Sequence, residues 1–270
     1  MKKRNMYRSF LAVLLMAFMI SACGNTKKDK PSSGFNLFPV EKDVELGAQV
    51  AREIESKPNE YPVLDSASNV AAYRYIYEIR NRILATGEVE HKDDFVWRIR
   101  IIQDDEILNA FCTPGGYIYF YTGIIKYLEN EAQLAGVMGH EMAHADLRHS
   151  TRQMSKNFGV QLLLSAVLGD QKAIGQITGG LINLQFSRGH ETEADHMSVH
   201  YLCCTKWPGD SGAGFFEKIQ ESGAQSPPEF LSTHPSPDNR IENYHKWAQE
   251  DSCQGDQLYI NNYEAFKSLF

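Results

Sequence analysis

His140 and His144 stand four residues apart, and Glu141 directly follows the first of them in the run Gly139-His-Glu-Met-Ala-His144. On an α-helix this spacing puts both imidazoles on one face, one turn apart, where both can reach a single ion. Glu141 projects beside the pair, and its carboxylate can take a proton from a water next to the metal. The residues before the motif, Ala135-Gly-Val-Met138, are small or apolar. A buried helix is therefore expected, and polar groups inside it are costly unless they are paired. Two imidazoles do not complete a catalytic zinc site, which needs a third protein ligand and an open position. The extended HExxHxxGxxH pattern does not supply it: Leu147 and Ser150 stand where Gly and His are required, and His149 is out of phase.

A carboxylate is the remaining source. In Ser187-Arg-Gly-His-Glu191-Thr-Glu193-Ala-Asp195, Glu191 and Asp195 are one turn apart on an expected helix. One can bind the metal while the other stands behind it and orients a ligand histidine. Glu193 is an alternative third ligand, out of phase with Asp195. His196 and His200 are also four apart and could join His190 in a second metal pair, but no HExxH-like glutamate accompanies them. They read as packing or solvated histidines, and His149 as a residue that packs or hydrogen-bonds beside the site helix.

The motif HEMAH followed by SRGHETEAD resembles the zinc metallopeptidases of the HtpX, Oma and CAAX-prenyl-protease type. Asn109-Ala-Phe111 with Pro114-Gly-Gly-Tyr-Ile-Tyr-Phe-Tyr-Thr-Gly123, and Thr233-His-Pro-Ser-Pro-Asp-Asn-Arg-Ile241, are similar to that family too. Together the motifs span most of residues 40–245 in the family's order. The resemblance implies a zincin-like domain of the gluzincin kind, with one Zn2+ per chain held by His140, His144 and Glu191. It implies Glu141 as general base and Asp195 as the carboxylate behind the ligands. His234 would lie near the metal, either stabilising the oxyanion or occupying the open position in a resting state, and Arg240 would fix the loop that presents it. Two departures touch packing: Ser198, where the family has Gly, and Cys203-Cys-Thr-Lys-Trp-Pro208, where it has a small-residue turn.

Elements that could position these residues follow from periodicity. Helical spacing covers 38–56, 67–84, 129–149, 191–202 and 240–250. β-Branched and aromatic runs make strands of 95–102 and 117–122, separated by turn-forming 111–116. Residues 158–184 are weakly polar, and 158–169 fit a core helix, being too short to span a bilayer. The fold class is a helix-dominated α+β with a small sheet beside the HExxH helix. Tyr117, Tyr119 and Tyr121 alternate along the second strand, which is expected to offer an exposed edge to an extended substrate.

With 270 residues and 43% apolar content the chain can bury a core, and it is not a disordered chain. Five cysteines are too few for a disulfide scaffold, although Cys253 with Cys203 or Cys204 is a reasonable pair in an oxidising compartment. The formal charge of −7 argues against a nucleic-acid partner, which would need a basic field. Residues 1–22 carry Lys2, Lys3, Arg4 and Arg8 and no acid, then an uncharged run to Ile20-Ser-Ala-Cys23-Gly24. That is a secretory signal, and its end resembles a bacterial lipobox with Cys23 as the lipidated N-terminus. Without the four bases the balance moves to −11. The expected organisation is a signal at 1–22, a flexible tether at 23–37 and a metallopeptidase domain at 38–270. The expected function is a membrane-tethered zinc endopeptidase acting on unfolded or misassembled envelope proteins, on the periplasmic face of the outer membrane if the cell has two membranes. An alternative is an assembly factor or holdase that binds peptides on the same fold without turnover. Replacing Cys23 with Ala is expected to abolish labelling by palmitate and to move the chain from the membrane to the soluble fraction.

Overall fold

Successive residues of a strand point to opposite faces of a sheet, and along Tyr117–Tyr121 both sets are buried. The computed structural model describes residue 36 and residues 38–222 and 229–270. The signal, Cys23 and nearly all of the tether lie outside the described residues. Strands β1 (Arg98–Ile102), β2 (Ala110–Thr113) and β3 (Tyr117–Tyr121) form a sheet in the order β1-β3-β2. β3 is parallel to β1, with Arg98 opposite Tyr117, and antiparallel to β2, with Cys112 opposite Ile118.

Helices cover both faces. Ile99, Ile101, Ile118 and Phe120 pack towards α2 (Val70–Leu84) and α4 (Glu131–Asp146), the latter following the short α3 (Thr122–Tyr127). Tyr117, Tyr119, Tyr121 and Phe111 pack towards α1 (Val40–Glu55), α6 (Val160–Val167) and α7 (Gln171–Ile182). The remaining helices are α5 (His149–Asn157), α8 (Arg188–Cys203), α9 (Ala213–Ser222), α10 (Glu229–Thr233), α11 (Arg240–Glu250) and α12 (Ile260–Lys267). This is the expected helix-dominated α+β fold. No helix among the described residues is long and apolar enough to cross a membrane.

One expectation is corrected here. The strand of Tyr117, Tyr119 and Tyr121 is the central strand, so its backbone is paired on both sides and offers no edge to a substrate. Its tyrosines are at most 6% exposed because α1, α6 and α7 cover them. The edge missed by periodicity is β2, four residues inside a stretch that reads as turn.

The HExxH helix α4 is buried along nearly its whole length. At its start Asn130 Oδ1 accepts the Gln133 N–H (3.0 Å), a normal N-cap. Glu131 there receives hydrogen bonds from Arg82 (2.8 Å), Trp207 Nε1 (3.0 Å) and the Tyr75 hydroxyl (2.6 Å). Trp207 belongs to the segment that departs from the family pattern, so this departure anchors the site helix. Ser198, the other departure, donates to the Gly136 carbonyl (2.9 Å). Cys203 is bonded to Cys253, tying the end of α8 to the chain beyond α11.

The helix expected over 129–149 breaks at its end. Arg148 takes a left-handed conformation (φ 58°), and α5 starts afresh at His149. That conformation costs an L-residue about 1–2 kcal/mol. The guanidinium offsets it by donating to both oxygens of Asp43 (2.6 and 3.0 Å) and to the Phe38 carbonyl (2.6 Å). Burial raises the Asp43 carboxyl pKa despite this partner. Arg148→Ala is expected to destabilise the fold by about 3 kcal/mol, since it strands a buried carboxylate. Arg148→Gly, free of the left-handed strain, should recover about 1 kcal/mol of that loss in urea unfolding.

Candidate active site

α4 and α8 lie side by side, and their closeness places the polar groups. A Cβ added at Gly139 would stand 2.8 Å from Ser198 Oγ, and one at Gly136 would stand 2.4 Å from the Gly212 nitrogen. Glycine at these two positions lets the helix sink between its neighbours. His140 and His144 come from α4. Glu191 comes from the first turns of α8, which opens with Ser187 accepting the His190 N–H. His234 follows α10 and arrives from the opposite side.

Ligand-type atoms of His140, His144, Glu191 and His234 all lie within 4.8 Å of one another. His140 Nε2 is 3.0 Å from His144 Nε2 and 3.5 Å from Glu191 Oε2. His144 Nε2 is 3.2 Å from Glu191 Oε1. His234 Nδ1 is 3.2 Å from both His140 Nε2 and Glu191 Oε1. A tetrahedron with zinc–ligand bonds of roughly 2.0–2.1 Å has edges of about 3.3 Å, so these separations fit one ion at the centre. Each of the four residues is at most 2% exposed. Protons alone cannot satisfy every pair among three imidazole nitrogens and a carboxylate, whereas one cation can.

Glu141 is fully buried, and neither carboxylate oxygen has a hydrogen-bond partner. One of them is 3.5 Å from His234 Nε2, also without a hydrogen bond. Burial raises the Glu141 pKa, against the opposing pull of His234 and His140. Burial would also raise Glu191, but His234 and His144 outweigh it and hold that carboxyl well below its usual range. Burial lowers His144 strongly, keeping it neutral, as a ligand must be. For His234 burial acts downward, and the carboxylates of Glu191 and Glu141 turn the shift upward.

Asp195 stands behind the cluster. Its Oδ1 is 2.9 Å from His140 Nδ1 and accepts from Arg240 (2.7 Å) and from the Tyr244 hydroxyl (2.8 Å). Arg240 also donates to Glu191 Oε2 (3.1 Å), so it braces the carboxylate directly, whatever it does for the His234 loop. Glu193 does not join the cluster; it meets His149. His196 packs at a tilt against Trp247 (ring centroids 4.9 Å) and His200 bridges Glu88 and Asp251, so the described residues hold no second His-pair metal site.

The sequence reading did not find the rings that wall the site. Phe186 stacks on His144 (4.0 Å) and Phe230 on His234 (4.3 Å). The Phe186 N–H donates to the Thr233 carbonyl and the Phe230 N–H to the Leu108 carbonyl, closing the His234 segment over the cluster. Nothing in their local sequence marks either phenylalanine, because the contacts join distant segments.

Residues 71–248 match the model of peptidase family M48. The chain belongs to that family. It is 32% identical over 216 residues to the mitochondrial metalloendopeptidase OMA1 of Saccharomyces cerevisiae, covering 72% of this chain and 62% of the yeast protein. It is 26% identical over 261 residues to the beta-barrel assembly-enhancing protease of Escherichia coli K12, covering 88% of this chain and 51% of that protein. A third relative, OMA1 of Arabidopsis thaliana, is 29% identical over 154 residues, 56% of this chain and 32% of that protein. The chain thus spans about a third to three-fifths of these relatives' lengths. Family membership and the cluster agree on a metallopeptidase fold with a His-His-Glu site. An ion bound only by the folded chain stabilises it by about 2.7 kcal/mol at a hundred times its Kd. Zinc titration is expected to raise the melting temperature of the chelator-treated protein, and Glu191→Gln to remove most of that rise.

Proposed function

We propose that this chain is a membrane-tethered zinc endopeptidase that hydrolyses peptide bonds of unfolded or misassembled envelope proteins. The observation that carries the reading is the gathering of ligand atoms of His140, His144, Glu191 and His234 within 4.8 Å of one another beside the buried Glu141, in a member of family M48. His140, His144 and Glu191 hold the zinc. Zn2+ bound there supplies Lewis acidity that lowers the pKa of water to about 7 and polarises the scissile carbonyl.

Glu141 accepts a proton from the attacking water and delivers it to the leaving amine. Its buried setting favours this role, since a raised pKa makes the carboxylate a stronger base towards the attacking water. Asp195, together with Arg240 and Tyr244, keeps His140 and Glu191 in place through the contacts described above. His234 lies against His140 and Glu191, where it would occupy the position left open on the zinc in a resting state. When the segment closed by the Phe186 and Phe230 backbone bonds moves away, the His234 ring becomes available as a donor to the oxygen that gains charge.

An extended substrate adds beside β2, the edge strand packed against α4, because β3 is interior. Pairing through the main chain tolerates many sequences, which suits unfolded substrates. Envelope location rests on the signal-like N-terminus and Cys23. The name of the E. coli relative ties that protein to β-barrel assembly.

Purified zinc-loaded chain is expected to cleave unfolded casein or a quenched peptide. Glu141→Gln should lower the rate by at least about 100-fold while the zinc content is unchanged. Activity surviving that substitution would remove Glu141 as the base, and peptide binding without turnover in the wild type would favour the holdase.

A further inference from the structure

The ring of His144 has two ends. Nε2 faces the cluster, and Nδ1 is turned onto a second imidazole: it lies 2.9 Å from His149 Nδ1. His149 Nε2 in turn lies 3.0 Å from Glu193 Oε2. His149 is wholly buried, whereas the Glu193 side chain is 27% exposed, so the contacts run from the metal site towards the surface.

One set of tautomers satisfies every contact. A nitrogen that binds a metal presents its lone pair, so neutral His144 with Nε2 on the ion carries its hydrogen on Nδ1. That hydrogen needs an acceptor, which His149 Nδ1 provides. Neutral His149 then carries its hydrogen on Nε2 and donates it to the Glu193 carboxylate. Two neutral imidazoles and one carboxylate leave no donor or acceptor opposed.

The other ligand histidine has a different arrangement. His140 Nδ1 faces Asp195, whose Oδ1 already takes Arg240 and Tyr244. His144 lies one turn further along α4, about 5.4 Å away, and meets a residue of α5 instead. That residue is within reach because the left-handed Arg148 ends α4 and starts α5 back against it. Phe186 covers one side of the His144 ring, and His190 stacks on His149 at 4.3 Å, so both imidazoles are fixed in plane.

We propose that His149 and Glu193 are positioning residues for His144, fixing its tautomer and ring orientation through the relay His144–His149–Glu193. The proposal rests on the reading of His144 as a zinc ligand through Nε2. It gives the middle acidic residue of the Glu191-Thr-Glu193-Ala-Asp195 run a task distinct from metal binding.

Three variants test it in the full chain: His149→Phe, which keeps a ring and removes both nitrogens; His149→Asn, whose amide oxygen can still accept from His144; and Glu193→Ala. The readouts are zinc affinity by chelator competition, the visible spectrum of the cobalt-substituted protein, and melting of the metal-free chain. His149→Phe is expected to lose about 10–100-fold in zinc affinity and to shift the cobalt band, with metal-free melting little changed. His149→Asn should recover most of the affinity, and Glu193→Ala should lose about 3–10-fold. Wild-type affinity and an unshifted band in both His149→Phe and Glu193→Ala overturn the relay. If His149→Phe does not fold, Glu193→Ala alone decides by the same criterion. A wild-type chain that binds neither zinc nor cobalt instead overturns the metal-site reading on which the relay rests.

Discussion

The close approach of α4 and α8 is the constraint on which the rest of the molecule depends. Ligands on two separate helices can share an ion only if the helix axes come nearer than bulky side chains permit, and interaxial distances of 8–10 Å follow the residues at the contact. Gly139 against Ser198 provides that nearness, and Gly136 lets the Gly212 segment ahead of α9 close in on the same helix. The Ser198 hydroxyl then adds a hydrogen bond to the Gly136 carbonyl across the joint. A serine in place of glycine keeps the contact small while satisfying its own buried oxygen, which is why the departure from the family pattern leaves the ligand geometry intact.

Much of the surrounding fold serves to keep α4 from shifting along its axis. Its first turn is held by Glu131, which collects hydrogen bonds from two distant segments, through Tyr75 and Arg82 of α2 and through Trp207. Its last residue, Asp146, accepts from the Glu90 and His91 backbone and from the Tyr201 hydroxyl. Arg148 then fixes the exit against Asp43 of α1. Buried charges of this kind contribute little net stability, because desolvation consumes most of the Coulombic gain. They do define position, since a displaced carboxylate would be left unpaired in the interior.

How much of this was readable from the chain depends on the range of the interaction. The His140–Glu141–His144 spacing and the Glu191–Asp195 spacing are helix periodicities, so each pair shares a face once its segment is helical, while the meeting of the two faces is tertiary. The position of β3 does not, because strand order is a non-local property: Tyr117, Tyr119 and Tyr121 alternate in the same way in an edge strand and in a central one. β2 was hidden by its length of four residues beside Pro114 and two glycines. The break at Arg148 carries no Gly or Asn signal, and it becomes favourable only through the contact with Asp43, a hundred residues away. His149 could be placed near the site but given no task until that break was known.

The burial of the whole cluster bears on how the site must work. A glutamate with two unpartnered oxygens and a fully enclosed imidazole set cannot meet a polypeptide without rearrangement. The elements that close it are unequal. α4 is locked at both ends by buried networks, whereas the His234 segment is held by single backbone bonds at Phe186 and Leu108 and by the packing of Phe230 on Phe215 and Phe216. Each such bond is worth about 1 kcal/mol net. Opening the His234 segment therefore breaks fewer buried polar contacts than separating the helices, and it would leave His140, His144 and Glu191 where their own supports hold them. The same segment ends against the Leu108 carbonyl just before β2, so a movement that opened the cluster would also loosen the neighbouring strand edge.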